Sequence, residues 1–380
     1  MARDESGDFA LVNFTYGLDK DDLERWHRSS QYQRWQFSEQ ELIEKRRALN
    51  EESTKMFPSD CQPLTVADED CLLKYWLKKI CDICTDLDLC EDISASACSF
   101  FKRFYLANPL VKHDHAAVID TCIFLAAKTE HRQIPIDTFV NLIPNCSTAE
   151  TLRKHEMVIG SSIDFQFSIW HPHTQLKTIW EDLSILRALS PVRPPLASHV
   201  LETAQQFLRV SRMTDFEFIF HPVVIALASL WLSGTMGKEL VNEWVDMKKL
   251  GCHELDEVKR AAYRINGASG TVFQDNLEHL LDLFKSCQRY RRSKEKETRK
   301  RRHIKSHESA LIKAPRKKTT FPEGAARSEI DTRMATADIP KGDSEGQLFS
   351  EEGSLIGSYR EKRPSRSPSP SNSYQSEKFS

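Results

Sequence analysis

The chain has 380 residues, 40% hydrophobic and 28% charged, with a formal net charge of −2 at pH 7. That length holds two ordinary domains, because single hydrophobic cores stop growing well before it, and the near-balanced charge exerts no global pull toward nucleic acid. The longest apolar run, residues 223–232, falls short of the roughly 18 residues that span a bilayer. The first residues, MARDESGDFALVNF, are acidic and lack the apolar segment of a secretory signal, so an intracellular protein is expected. There the ten cysteines are reduced thiols, to be read as core fillers, metal ligands or nucleophiles.

Taken in chain order, the pattern is helical. Glycine is absent from residues 18–159, and prolines 58, 63, 109, 135 and 144 punctuate that stretch, as in consecutive helices joined by short turns. Ser38 with Glu41 is a capping-box pattern opening a charged helix whose apolar contacts are Leu42, Ile43, Leu49 and Met56. A second helix is predicted from about Thr65 to Leu89. Ala97, Phe100, Phe101, Phe104 and Tyr105 then recur with the spacing of one buried helix face. Residues 118–127 are apolar nearly all round, which places that helix at the centre of a bundle. A short element at 136–142 follows, and Ser147 with Glu150 suggests a further capping box opening a helix to about Ile163. Five helices thus fall in roughly 100 residues. Ile163, Phe165, Phe167 and Ile169 alternate, but a lone strand has no partner, so an extended linker is predicted.

After prolines 191, 194 and 195 the order repeats: residues 200–210, 223–232, 239–247, 255–264 and 272–287. An amphipathic helix again precedes a wholly apolar one, so the halves read as two copies of one helical unit. From about Arg291 the composition turns to Lys, Arg, Ser, Glu and Pro, and a disordered tail is predicted. The fold class is all-α: two tandem five-helix units, 64–167 and 168–290, after an N-terminal arm and helix at 1–63, with a disordered tail at 291–380.

The words within these units resemble the cyclin family. SACSFFKRFYLANPLV (96–111) is similar to the second helix of a first cyclin box, DTCIFLAAKTE (120–130) to its buried third helix, and LRKHEMVIGSSIDFQFSIWHP (152–172) to the fifth helix and the exit from the box. In the second half, FLRVSRMTDFEFIFHPVVIALASL (207–230) resembles a second box, and its Thr214-Asp215 is close to the H type. SSQYQRWQFSEQEL (29–42) resembles the H type, with some likeness to the C type. The resemblance covers about residues 25–290 and implies a non-catalytic subunit that activates a protein kinase.

In that family a lysine and a glutamate of the first box hold the kinase, and by motif they fall on Lys128, ending FLAAK, and Glu156, in RKHE. The pair would bond the backbone around the kinase's regulatory C-helix and help seat it inward. Glu156 lies four residues after Leu152 and three before Ile159, so it projects from an apolar stripe where an unpaired carboxylate is costly. Taken alone, Lys128 reads first as a cation complementing a helix C-terminus, and only the surrounding family words reverse that order. Glu69-Asp70-Cys71-Leu72-Leu73 stands where cell-cycle cyclins carry a hydrophobic substrate-recruiting patch, and the two acids put that recruitment in doubt. H-type resemblance further implies a RING-containing assembly factor and the core of transcription factor IIH as partners. Targets would be other cyclin-dependent kinases and the RNA polymerase II C-terminal repeats, and location the nucleus. The alternatives are a C-type cyclin of the Mediator kinase module and a tandem-box transcription initiation factor.

Other signals are weaker. Cys81 and Cys84 have metal-like spacing, but no second CxxC exists and both fall on a predicted helix face. His113 with His115, and His171 with His173, lie at element boundaries and read as exposed loop histidines. No phosphate-binding glycine loop, GxSxG elbow or HExxH occurs, so no catalytic residue, cofactor or metal is expected. From Arg289 to Arg302 nine Lys/Arg stand against two Glu. Nuclear import through Arg299, Lys300, Arg301 and Arg302 is the leading reading, with a solvated helix end as the alternative. Direct nucleic-acid contact ranks last, since no aromatics interleave. Ser367 and Ser369, each before proline, read as proline-directed phosphorylation sites, which would add negative charge to a basic tail.

Overall fold

The structure, a computed structural model, describes residues 16–58, 62–189, 197–269 and 277–313. Ser367 and Ser369 lie outside the described residues. Fourteen α-helices and two short 3-10 turns make up the described chain. An N-terminal arm holds α1 (Lys20–Arg28), α2 (Ser30–Trp35) and α3 (Glu39–Lys55). The first repeat is α4 (Val66–Asp86), α5 (Glu91–Ala107), α6 (His115–Thr129), α7 (Ile136–Leu142) and α8 (Ala149–Ser162). The second is α9 (Pro172–Ala188), α10 (Ser198–Arg212), α11 (Pro222–Leu232), α12 (Thr235–Met247) and α13 (Cys252–Ser269), and α14 (Leu277–Lys313) closes the described chain.

Short polar side chains set the helix starts, as expected where backbone donors lack partners. Ser38 and Glu41 form the predicted capping box of α3, and Thr65 with Asp68 forms another at α4. At α8 the cap is Thr148, which accepts from the Thr151 amide, rather than the predicted Ser147–Glu150 box. Ser147 is occupied elsewhere: its amide donates to the buried Asp120 carboxylate at 2.8 Å. The central helices are those read from their apolar runs, with α6 buried from Ala117 to Ala127 and α11 from Pro222 to Leu230. Residues 163–165 form a turn, and residues 166–170 lead on to α9 with no strand.

Three expectations are corrected. Helices α1 and α2, unmarked in the sequence reading, precede α3. The second repeat opens with α9, whose Leu176, Ile179 and Leu183 are in its core, so the proline cluster at 191–195 lies inside that repeat. The last apolar helix does not close the second repeat, because Leu280, Phe284 and Cys287 of α14 are buried in the first core. Phe284 meets Trp76 edge-on at 4.9 Å, and His115 stacks on Trp76 at 4.7 Å. α14 then continues through Arg291 to Lys313, so the disorder predicted from about Arg291 does not begin there.

The repeats are joined by buried polar contacts. Lys102 of α5, 1% exposed, donates to the carbonyls of Arg212 at 3.1 Å and Thr214 at 3.0 Å and pairs with Glu217 at 3.0 Å. Ser99 donates to the same carboxylate at 2.7 Å. Arg46 of α3 forks onto both Asp215 oxygens at 2.9 Å. The arm crosses the same seam: the Phe37 amide donates to the Phe218 carbonyl at 2.7 Å, and Trp26, 1% exposed, packs edge-on to His221 at 4.3 Å.

Glu69 is not a surface acid. It is 8% exposed, and burial, outweighing Asn50 and Ser53 of α3, pushes its carboxyl up to about 7. The four predicted loop histidines are likewise not exposed: His171 is 7% exposed, and burial holds His113 and His115 down to about 4.

Two outcomes test this packing. Phe284→Ala is expected to cost about 3–5 kcal/mol, read as a lowered denaturant midpoint; an unchanged midpoint would detach α14 from the first core. Glu69 keeps its proton in the folded state to about pH 7 but releases it near 4.3 when unfolded. Its contribution is therefore full below the unfolded value and lost as pH rises through 7. Glu69→Gln is expected to be near neutral at about pH 4 and to stabilise by about 2 kcal/mol at about pH 8. Thermal melts at both pH values check this, and a pH-independent difference would contradict it.

Candidate functional site

Lys128 and Glu156, 28 positions apart, meet at the rim of the first repeat. Lys128 lies in the last turn of α6, where the helix leaves the core, and its ammonium sits 5.2 Å from the Phe124 ring centroid. Glu156 projects from the middle of α8 between buried Leu152 and Ile159. Packing of α6 on α8 brings the two side chains into an ion pair, Lys128 Nζ with Glu156 Oε1. The side chains remain 43% and 26% exposed. The cation thus both ends α6 and neutralises Glu156.

The pair has unused capacity. An ammonium has three donors and a carboxylate two acceptor oxygens, whereas among the described residues the only hydrogen bond of either side chain is the one joining them. Such a rim can accept a backbone N–H and donate to a carbonyl of an incoming chain. Beside it lies an apolar patch that sequence reasoning missed. Gly160, one turn after Glu156, lets the Phe165 ring sit against α8, since a Cβ there would meet the ring at 2.8 Å. Phe165 has φ of 55°, which turns the chain back over the helix, and the ring is 54% exposed. Met157 is 62% exposed. The signal was Phe165 following Gly160 at five residues, legible only once the chain's reversal is known.

Arg299, Lys300, Arg301 and Arg302 are exposed on α14, with Arg301 paired to Glu297 at 2.7 Å. They form a surface on a different element from Lys128 and Glu156. Cys81 and Cys84 sit on α4, and among the described residues no group of three or more His, Cys, Asp or Glu is placed to hold a metal. Among them, no helix is long and apolar enough to cross a membrane.

A model of the cyclin N-terminal domain matches residues 42–168, the segment from α3 through α8 that carries both rim residues. Cyclin CCL1 of Saccharomyces cerevisiae is 28% identical over 252 residues, which are 61% of this chain and 62% of CCL1. Residues 42–168 thus carry a cyclin N-terminal domain. Cyclin-H of Xenopus laevis is 26% identical over 54% of this chain and 67% of its own length. Cyclin mcs2 of Schizosaccharomyces pombe is 25% identical over 55% and 69%. This chain thus spans a little under two thirds of CCL1. Among solved structures, the CAK complex of Chaetomium thermophilum bound to ATP-gamma-S contains a chain of the same fold, with TM-score 0.62 and 20% identity, covering 81% of this chain and 100% of that one. The yeast TFIIK (Kin28/Ccl1/Tfb3) complex contains another, with TM-score 0.55 and 25% identity, covering 63% and 99%.

A half-exposed ion pair contributes only about 0–1 kcal/mol to stability. The Lys128→Ala/Glu156→Ala double variant is therefore expected to melt within a few degrees of the parent. A large drop would make the pair a structural element and disqualify it as a probe of binding.

Proposed function

We propose that this chain is a cyclin, the non-catalytic regulatory subunit of a cyclin-dependent kinase, and that the kinase is the CDK-activating kinase of transcription factor IIH. The observation that carries the reading is the Lys128–Glu156 rim, with unspent donors and acceptors beside exposed Phe165 and Met157. Support for the type comes from the H-type relatives and from the yeast TFIIK complex, where a chain of this fold is assembled with Kin28 and Tfb3.

The mechanism follows from what a kinase needs. A glutamate on its C-helix must meet the strand lysine that positions the nucleotide phosphates. Lys128 donates to carbonyls and Glu156 accepts from amides at the segment leading into that helix, while Phe165 and Met157 supply apolar area. The cyclin thereby contributes a population shift and no reacting group. Moving the helix from about 1:99 to 99:1 inward requires roughly 5.5 kcal/mol of differential binding, within the range of a standard-sized interface.

On the same reading a RING-containing assembly factor and the transcription factor IIH core are further partners. The targets are other cyclin-dependent kinases and the RNA polymerase II C-terminal repeats. The protein acts in the nucleus, with Arg299–Arg302 as the import signal and phosphorylation of Ser367 and Ser369 lowering the positive charge of the tail.

Affinity purification of the full chain, with mass spectrometry of bound kinases, tests the proposal. Recovery of the CDK-activating kinase with its assembly factor is expected. The double variant should lose the kinase by orders of magnitude in affinity, since it removes the side chains that bond the kinase backbone, and each backbone group left buried and unpaired costs about 1–3 kcal/mol. Recovery of a Mediator kinase would reassign the chain to the C type, and no kinase at all would end the proposal.

A further inference from the structure

A cavity of about 710 Å³ opens between α4 of the first repeat and α10 of the second, away from the Lys128–Glu156 rim. Its wall includes Lys78, Asp82, Arg209, Val210 and Met213, and into it faces a half-buried thiol, Cys81. Cys81 has an unusual set of neighbours. Cys98 of α5, fully buried, places its sulphur 3.6 Å from the Cys81 sulphur, and the Ser94 hydroxyl donates to Cys81 Sγ at 3.6 Å. The Cys98 thiol has a second acceptor in the Leu77 carbonyl at 4.0 Å. Arg212, held at the cavity edge by Glu91 at 2.6 Å, adds a cation beside both sulphurs. The hydrogen bond from Cys98, with Arg212 and Ser94, holds the Cys81 thiol down to about 6 against the opposing effect of burial, while the same bond and burial push Cys98 up. Buried thiols in apolar surroundings are ordinarily inert, whereas thiols beside cations and donors are the reactive ones.

We propose that Cys81 and Cys98 form a peroxide-responsive dithiol, with Cys81 the site of modification and Cys98 the resolving thiol. In the first step the Cys81 thiolate attacks one oxygen of a hydroperoxide. The S–O bond forms, the O–O bond breaks, and the departing hydroxide (or alkoxide) takes a proton from solvent, leaving a sulfenic acid. In the second, Cys98 gives up its proton and its sulphur attacks Cys81 Sγ. The S–S bond forms, the S–O bond breaks, and hydroxide leaves with that proton as water. With hydrogen peroxide the balance is two thiols and one peroxide to one disulfide and two waters. The sulphurs need to close from 3.6 Å to roughly 2.05 Å. The cavity admits the oxidant, and Cys98, sealed in the core, is reached only through Cys81. The product ties α4 to α5 and removes the anionic sulphur from the wall facing Arg212.

The full chain is treated at about pH 7 with hydrogen peroxide at one equivalent, quenched over time with an alkylating agent, and mapped by peptide mass. The expected result is a Cys81–Cys98 linkage forming roughly ten-fold faster than oxidation of the exposed Cys90 and Cys252, because thiolate fraction governs the attack. In Cys98→Ser, which keeps a donor beside Cys81 but removes the resolving thiol, Cys81 should accumulate as a sulfenic acid trapped by dimedone, and in Cys81→Ser, Cys98 should stay reduced. Cys90 and Cys252 reacting first while Cys81 and Cys98 stay reduced would overturn the proposal in the parent chain alone, whether or not the variants fold. A Cys81–Cys84 linkage instead would overturn the assignment of Cys98.

Discussion

The architecture depends on one buried cation. Lys102 reaches from the first repeat to two carbonyls and a carboxylate that close α10 and the turn after it in the second repeat. A charge taken out of water is costly unless nearly all of its donors are matched, so three oxygens in fixed positions make this contact a matter of geometry as much as of energy. Only one placement of the repeats meets it. One of the carbonyls that Lys102 uses, that of Arg212, is left over at the end of α10, a group that the helix cannot satisfy itself, and the other, that of Thr214, belongs to the turn after it. The two repeats therefore complete each other's hydrogen bonding at the seam. Arg46 and the Phe37 amide extend the same logic to Asp215 and Phe218.

With the seam fixed, the features that matter for function lie on separate faces of one frame. The Lys128–Glu156 rim is built within the first repeat, from two helices whose other faces are buried. The cavity containing Cys81 exists only because the second repeat's α10 is held opposite α4. A change at the seam would leave the rim's local geometry intact while altering the cavity wall, so the two sites differ in their dependence on how the repeats meet.

Much of this was legible in residues. The capping pair Ser38–Glu41 and the wholly apolar runs of α6 and α11 identified helix starts and bundle centres, because these signals are local. Lys128 and Glu156 were found from family words, and the structure adds that they pair with each other. What was not legible depends on distant partners. Glu69 looks like a surface acid until α3 is laid over it, and His113 and His115 look like loop residues until Phe104 and Trp76 pack against them. The stripe of Leu280, Phe284 and Cys287 announces a buried face without saying against which core. Prolines 191, 194 and 195 suggested a boundary between repeats, although a proline cluster breaks a connection within a repeat equally well.

The continuity of α14 has a mechanical consequence. Its first turns are wedged against Trp76, and the same helix runs on to Lys313, so the basic residues at 299–302 begin about 18 Å along the axis from the last core side chain. Charges separated by more than the Debye length of about 8 Å at physiological salt are largely screened, so these residues are electrically remote from the buried end of their own helix. They are not mechanically independent. The helix is a lever with its fulcrum in the first core, and whatever grips its outer end bears on the aromatic stack of Phe284, Trp76 and His115.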